Sequence, residues 1–550
     1  MAAGVMVVRR HSPEGRVVVD LRQRRRIRRL GRLDWFEVAY RGYLVVLFGG
    51  GSVLWVSATI GDEPLDAAAL VRLVPSWIAV LAAVVVLAGV RAGARGGPLA
   101  IEAADVVHVL GAPVERREVL LLPVMQRLRT VVVGGALVGG VAGQLAARRL
   151  PGSIAAWACA GAASGALVGA SWMAAALLAH GRPRRVTGSI GVALVIWQVV
   201  GVASPMPTPL GPLGGLAVAA WPAAWRDATS VSIVGAAAVP MVVVVAICLL
   251  VIGVRGLDRM SPEVLLRRSA LVAQLRFAAT MQDLRTVVLL RRQLDEERPR
   301  HTAWFTPPIG RSPVWRRDWQ GLARFPAVRI ARMGGAAIVL GVSCGAVAEG
   351  TTTALAIAAA AGFVLGLEVL EPLAEEIDHP DLASSVPVES GEVMARHLAA
   401  SAAALVPFAL VAGGAAIAVV GFEYLVPVAV LCVPIMWGAA CGAVVNVVRG
   451  APDAPQSLVP PEVAGFAATV RALWPVVVSG IGTSVVLIVR RAAEVGDSVA
   501  AAAVRAAIGP LLLAALIVGW VRVREQAHAS IDRFMTEGRA HTAASRTGAR

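Results

Sequence analysis

Apolar residues in this chain gather into runs about as long as a membrane is thick, and charged residues fall mainly between the runs. A hydrocarbon core about 30 Å thick needs about 20 mostly apolar residues per helix. Twelve runs approach that length: near 41–60, 74–90, 130–147, 153–180, 186–203 and 231–254, then near 331–348, 351–371, 398–420, 424–448, 467–489 and 503–521. The pattern predicts an all-α polytopic membrane protein with about 12 transmembrane helices.

The polar segments between the runs repeat. At an offset of 274 residues, Pro98-Leu99-Ala100-x-Glu102 falls on Pro372-Leu373-Ala374-x-Glu376. In the same register Pro113-Val114-Glu115-x-x-Glu118-Val119 falls on Pro387-Val388-Glu389-x-x-Glu392-Val393. These are 9 identities in 22 positions of loop sequence, where apolar composition does not inflate the match. The expected organisation is two tandem six-helix halves, 1–255 and 313–550, joined by a cytoplasmic helical linker at 256–312. Each half opens with an Arg- and Trp-bearing amphipathic approach, Arg24 to Trp35 and Trp315 to Arg332, expected to form elbow helices in the inner interface.

Composition agrees with a membrane protein: 57% of residues are hydrophobic and 16% charged, against roughly 25% charged in soluble domains. The 52 basic residues are all arginine. With no lysine the chain has no Walker A loop and no pyridoxal Schiff base, and it lacks the phosphate-binding lysine of a protein kinase. Near-absence of asparagine, with Asn446 alone, points to a GC-rich, bacterial genome. The net charge of +16 reads as topology and implies no nucleic-acid partner, because placing both termini in the cytoplasm puts 45 arginines inside and seven outside. The outer seven are Arg72, Arg148, Arg149, Arg226, Arg490, Arg491 and Arg505. The expected location is a bacterial inner membrane, with no removable signal peptide at the Arg-rich start.

Other features carry packing readings. Gly135, Gly139 and Gly143, and Gly161, Gly165 and Gly169, recur at four-residue spacing and suit close helix contact before a substrate path. The outer stretch 204–230, rich in Pro and Trp, suits a short interfacial or re-entrant helix. Ser261-Pro262-Glu263 starts a helix that Pro299 stops, and its partial apolar stripe fits packing on the bundle or membrane surface. Cys159, Cys248, Cys344, Cys432 and Cys441 sit in apolar runs without close pairing and read as core residues. Glu349, Glu368, Glu371 and His180 lie near span ends, whereas an ion-coupled carrier keeps ionisable groups at mid-membrane. Neither HExxH nor GxSxG occurs, and Asp378-His379-Pro380-Asp381 reads as a loop turn. No catalytic residue, cofactor site or metal site is expected.

Pro113 followed by Glu115 suits a helix start, since proline lacks only a donor that would be unpaired there and the carboxylate complements the helix dipole. A twin start lies near Pro387. Such a loop between the second and third spans of a six-helix half, preceded by an elbow helix, resembles the coupling helix of type-2 ATP-binding-cassette (ABC) exporter permeases. The stretch from Ser269 to Pro299 is similar to the central linker of fused actinobacterial permeases of this kind. The resemblance implies an exporter subunit without an ATP site, energised by two copies of a separate ATPase subunit, with a hydrophobic or amphipathic substrate. By position it implies contacts at Pro113, Val114, Glu115, Arg116, Arg117 and Glu118, and at Pro387, Val388, Glu389 and Glu392. Ser390 and Gly391 stand where the first half has Arg116 and Arg117, which puts equal coupling by the two halves in question. A partnerless interfacial helix, a six-plus-six secondary carrier and a membrane scaffold remain alternatives.

Overall fold

The computed structural model describes residues 24, 35–59, 67–99, 101, 103–111, 115–204, 208–217, 231–280, 284–294, 299–305, 312–378, 388–449 and 461–547. Every regular element among them is helical. The chain divides into two compact units, residues 1–275 with 293–296, and residues 276–292 with 297–550.

In the first unit, α1 (Trp35–Leu44) passes through a π-helical turn at Val45–Gly50 into α2 (Gly51–Thr59). Gly49, Gly50 and Gly51 sit at that irregularity, where glycine's backbone freedom weakens the regular ladder. Then come α3 (Ala67–Ala94), α4 (Ala103–His108), α5 (Arg116–Ala146), α6 (Ile154–Ala179), α7 (Arg184–Ala203), α8 (Gly211–Ala217) and α9 (Val231–Arg255). Ser153 caps α6 by accepting the Ala156 amide at 3.2 Å. Helix α6 is the hub, touching α3, α5, α8 and α9.

The glycine spacing decides the α5–α6 contact. A Cβ on Gly135, Gly139 or Gly143 would land on the backbone carbonyl of Gly165, Gly161 or Trp157, and Gly161 and Gly165 meet α5 in the same way. The two backbones therefore touch directly, as small residues at four-residue spacing permit. The short helix expected within 204–230 is α8, with Leu213 buried and its carbonyl accepting the Ser164 hydroxyl at 3.0 Å.

Next along the chain come α10 (Pro262–Thr280) and α11 (Leu284–Leu294). The second unit contains α12 (Pro313–Leu322), α13 (Ala327–Ala348), α14 (Ala354–Val369), α15 (Glu371–Asp378), α16 (Ser390–Val420), α17 (Leu425–Arg449), α18 (Pro461–Thr483), α19 (Val486–Val495) and α20 (Val499–Thr547). The expected approach helix is α12, but it ends before Arg329 and Arg332, which belong to α13. Pro326 at the cap position of α13 separates the two helices. Helix α17 is buried along most of its length and touches α14, α16, α18 and α20. Helix α20 has 49 residues, about 73 Å at the usual rise per residue. Its Arg524 donates to the Val448 carbonyl, one of the last acceptors of α17.

Among the described residues each of the twelve apolar runs lies mostly on helix. Among the described residues eight helices are long and apolar enough to cross a membrane, or nine if α14 and α15 count as one span bent by 60°. Val186–Val202 and Pro240–Arg255 are shorter apolar helices. The first run is interrupted by the π-turn, and the eighth ends at the bend.

Gly139→Val should force α5 and α6 apart and lower the thermal midpoint of the detergent-purified chain, at a cost of about 1–3 kcal/mol typical of overpacking. Gly134→Ala, where a Cβ meets nothing within 4 Å, should leave the midpoint unchanged or raise it. Equal effects from the two substitutions would contradict the direct backbone contact.

Candidate functional site

Helices α5 and α16 both have 31 residues, and their limits, Arg116–Ala146 and Ser390–Val420, differ by 274 at each end. Glu115 and Glu389 occupy the cap positions with nearly the same extended backbone, φ −58° and ψ 118° against φ −55° and ψ 132°. Leu99 and Leu373 are fully buried, as Val119 and Val393 are nearly so. The repeated loop positions thus include core anchors in both units. Pro113, Val114 and Pro387 lie outside the described residues, as do Glu102 and most of the Arg24 to Trp35 segment. The short helix before α5 is α4, which ends at His108; among the described residues no separate helix forms at 115–118, where Glu115 caps the long helix and Arg116, Arg117 and Glu118 belong to its first turn.

Each start is tied to the exit of the last apolar helix of its unit. In the first unit the Arg117 amide donates to Asp258 Oδ1 at 3.1 Å, and Arg116 Nη1 donates to the Met260 carbonyl at 3.3 Å. Both acceptors lie just past α9. In the second, Gln526 Nε2 of α20 donates to Glu389 Oε2 at 3.0 Å, and Arg522 pairs with Glu392 at 3.3 Å. A Cβ on Gly391 would strike the Arg522 carbonyl, so glycine stands where α20 crosses. Glu115, Arg116 and Glu389 are exposed, whereas Arg117, Glu118, Val388 and Glu392 are half-buried. The sequence marked these residues through the repeat, but gave no sign of their partners on α20.

Two buried charge clusters occupy the same end of the second unit. In one, Arg329 of α13, 4% exposed, has Nε 3.1 Å from Glu368 Oε2 and pairs also with Glu371, while Arg332 Nε donates to Glu368 Oε1 at 2.8 Å. Two guanidiniums meet two carboxylates, so the ions neutralise one another. Arg329 lies 3.6 Å over the Phe325 ring and also donates to the Glu368 carbonyl. Pro372, four residues after Glu368, has no amide to give that carbonyl, and the arginine replaces it.

In the other cluster, His397 of α16, 1% exposed, stands between Asp318 of α12 and Glu376 of α15. Its Nδ1 is 2.8 Å and 2.9 Å from the two Asp318 oxygens, and its Nε2 is 3.7 Å from Glu376 Oε2. Arg317 Nη1 donates to Glu376 at 3.3 Å. Burial pushes the Asp318 carboxyl above its ordinary value, partly offset by His397 and Arg317. A raised carboxyl favours the folded unit on the acid side, and that contribution is lost as pH rises through the titration of Asp318. Glu376 is the last residue of the repeated Pro-Leu-Ala-x-Glu motif, so the sequence contained one signal for this cluster; His397 and Asp318 carried none.

No group of three or more His, Cys, Asp or Glu side chains among the described residues is arranged to hold a metal ion. All five cysteines are free thiols. Arg490 pairs with Glu494 at 2.7 Å and donates to Thr352 Oγ1 at 2.9 Å, at the end of the unit away from the clusters. An apolar cavity of about 70 Å³ lies toward that end, lined in part by Cys344, Ala416, Tyr424, Leu431 and Val489.

Long apolar helices, direct backbone packing and charges gathered at helix ends define a polytopic α-helical membrane protein. Residues 68–453 match DUF6297, a family of unknown function, and the chain belongs to that family. No curated protein and no solved structure matches it. Both helix starts and both charge clusters lie inside the matched region.

Arg329→Met should destabilise the second unit by about 3–5 kcal/mol, because buried Glu368 and half-buried Glu371 lose that partner and the Glu368 carbonyl loses its donor. Arg396→Met, which breaks an exposed pair with Glu392, should leave stability near wild type. Denaturant titration of the purified chain checks the contrast, and a mild R329M phenotype would contradict the structural role of the cluster.

Proposed function

We propose that this protein is the membrane subunit of an ABC exporter, built of two tandem six-helix halves with both termini in the cytoplasm of a bacterial cell. Separate ATPase subunits, one for each half, would dock at 113–118 and 387–392 and supply the lysine-bearing ATP sites that this chain lacks. The observation that carries the reading is the pair of 31-residue helices whose starts are displaced by 274 and tied to the exit of each unit's last apolar helix. A push on Glu115 or Glu389 is thereby delivered to two helices of a unit at once, as conversion of nucleotide-driven closure into helix movement requires.

The position of the ionisable groups also favours this reading over an ion-coupled carrier. His397 is eight residues into α16, about 10 Å from its start at the usual rise per residue. That leaves it about 12 Å short of the middle of the helix, the level at which a carrier keeps its coupling site. The apolar cavity suits the hydrophobic part of a substrate. Its lining does not choose among lipids, hydrophobic antibiotics and apolar peptides.

The protein should co-purify with an ATPase whose gene lies nearby. Reversing charge in the double variant E115R/E389R should separate ATP hydrolysis from substrate movement in proteoliposomes, lowering transport at least about tenfold, equivalent to about 1.4 kcal/mol of coupling. Wild-type transport by the double variant, or ion-driven transport without any ATPase, would count against the proposal.

A further inference from the structure

Histidine has two nitrogens with separate duties, and the surroundings of His397 give each a different one. Nδ1 faces both oxygens of Asp318, so it carries hydrogen in either charge state while that carboxylate is ionised. Nε2 is buried, makes no hydrogen bond and points toward Glu376 Oε2 at 3.7 Å. As imidazolium the ring presents a positive N–H to Glu376. As neutral imidazole it presents a lone pair to a second acceptor, so attraction turns into repulsion.

We propose that His397 is a proton-operated tether that holds α15 against α16 when protonated and releases α15 when the Nε2 proton leaves. The Nδ1 contact to α12 persists in both states, which confines the change to α15.

The charges around the ring leave this role to His397. From α12 come Asp318 and Arg317, and the Arg317 side chain is 60% exposed, so water and salt weaken its hold on Glu376. Arg329 and Arg332 of α13 are engaged by Glu368 of α14 and Glu371 of α15. Glu375 and Asp378 lie on the exposed side of α15. On α16 itself Arg396 pairs with Glu392, which Arg522 of α20 also meets. Arg524 of α20 donates to the Val448 carbonyl of α17, whose own cation, Arg449, is the next and last residue of that helix. Neutralising His397 therefore leaves Asp318 and Glu376 facing the ring with one exposed arginine between them and solvent.

The device belongs to the second unit. At positions 274 residues earlier, Leu44 stands for Asp318 and Pro123 for His397, and neither titrates. Such a tether distinguishes the units whatever the chain transports, and it does not depend on the transport reading.

Hydrogen exchange read by mass spectrometry on the full chain in nanodiscs tests the proposal without an ATPase or substrate. After correction for intrinsic exchange, protection of α15 should fall at least about tenfold as pH is raised from about 5 to about 8, while the core of α17 stays protected. In Glu376→Gln the amide can donate to neutral Nε2, so α15 should stay protected across the range. In His397→Gln, which keeps a donor for Asp318 but has no proton to lose, protection should be low and flat. Flat protection of α15 in the wild type, or the same pH response in wild type and E376Q, would overturn the proposal. That comparison stands even if H397Q fails to fold.

Discussion

Inside a hydrocarbon layer a backbone carbonyl without a donor costs several kcal/mol, which is why membrane-spanning segments stay helical from end to end. The second unit departs from that rule between α14 and α15, where Pro372 cannot donate to the Glu368 carbonyl and the chain turns by 60°. Arg329 makes the departure tolerable. It reaches from the first turn of α13 to donate to the freed carbonyl, and its charge is balanced there by Glu368 and Glu371. Without that guanidinium the bend would leave a bare carbonyl, and Glu368 and Glu371 would each lose a cation, with Arg332 still on Glu368. The bend in turn aims α15 at α16 and brings Glu376 to His397.

The same end of the unit gathers three further attachments. Asp318 holds α12 to α16, Glu389 and Glu392 hold the α16 start to α20, and Arg524 closes the end of α17. In the first unit the start of α5 is held to the segment after α9 by Asp258 and Met260, with a main-chain amide donating where the second unit uses side chains. The two units thus share a mechanical plan, a helix start tied to a helix exit, and differ in chemistry. Arg116 and Arg117 add charge to one start, while Gly391 allows α20 to lie directly on the other. In the proposed exporter the two docking sites would therefore transmit force unequally, and a titratable group would bear on one of them.

The sequence by itself determined that the chain is helical and membrane-embedded, because runs of apolar residues near bilayer length leave the backbone no other way to satisfy its hydrogen bonds. It also marked the glycine faces of α5 and α6 and the paired starts at Glu115 and Glu389, since both signals are local spacings that survive in one dimension. Tertiary structure decided what those starts touch and where the buried charges meet. Asp318, Glu376 and His397 are separated by 58 and 21 residues along the chain, and of the three Glu376 alone sits in a repeated motif. Arg329 looked like one more interfacial arginine until the bend at Pro372 supplied the carbonyl it serves. Helical periodicity is written into consecutive residues, but the partner of a buried charge depends on which helices pack together, and only the fold sets that.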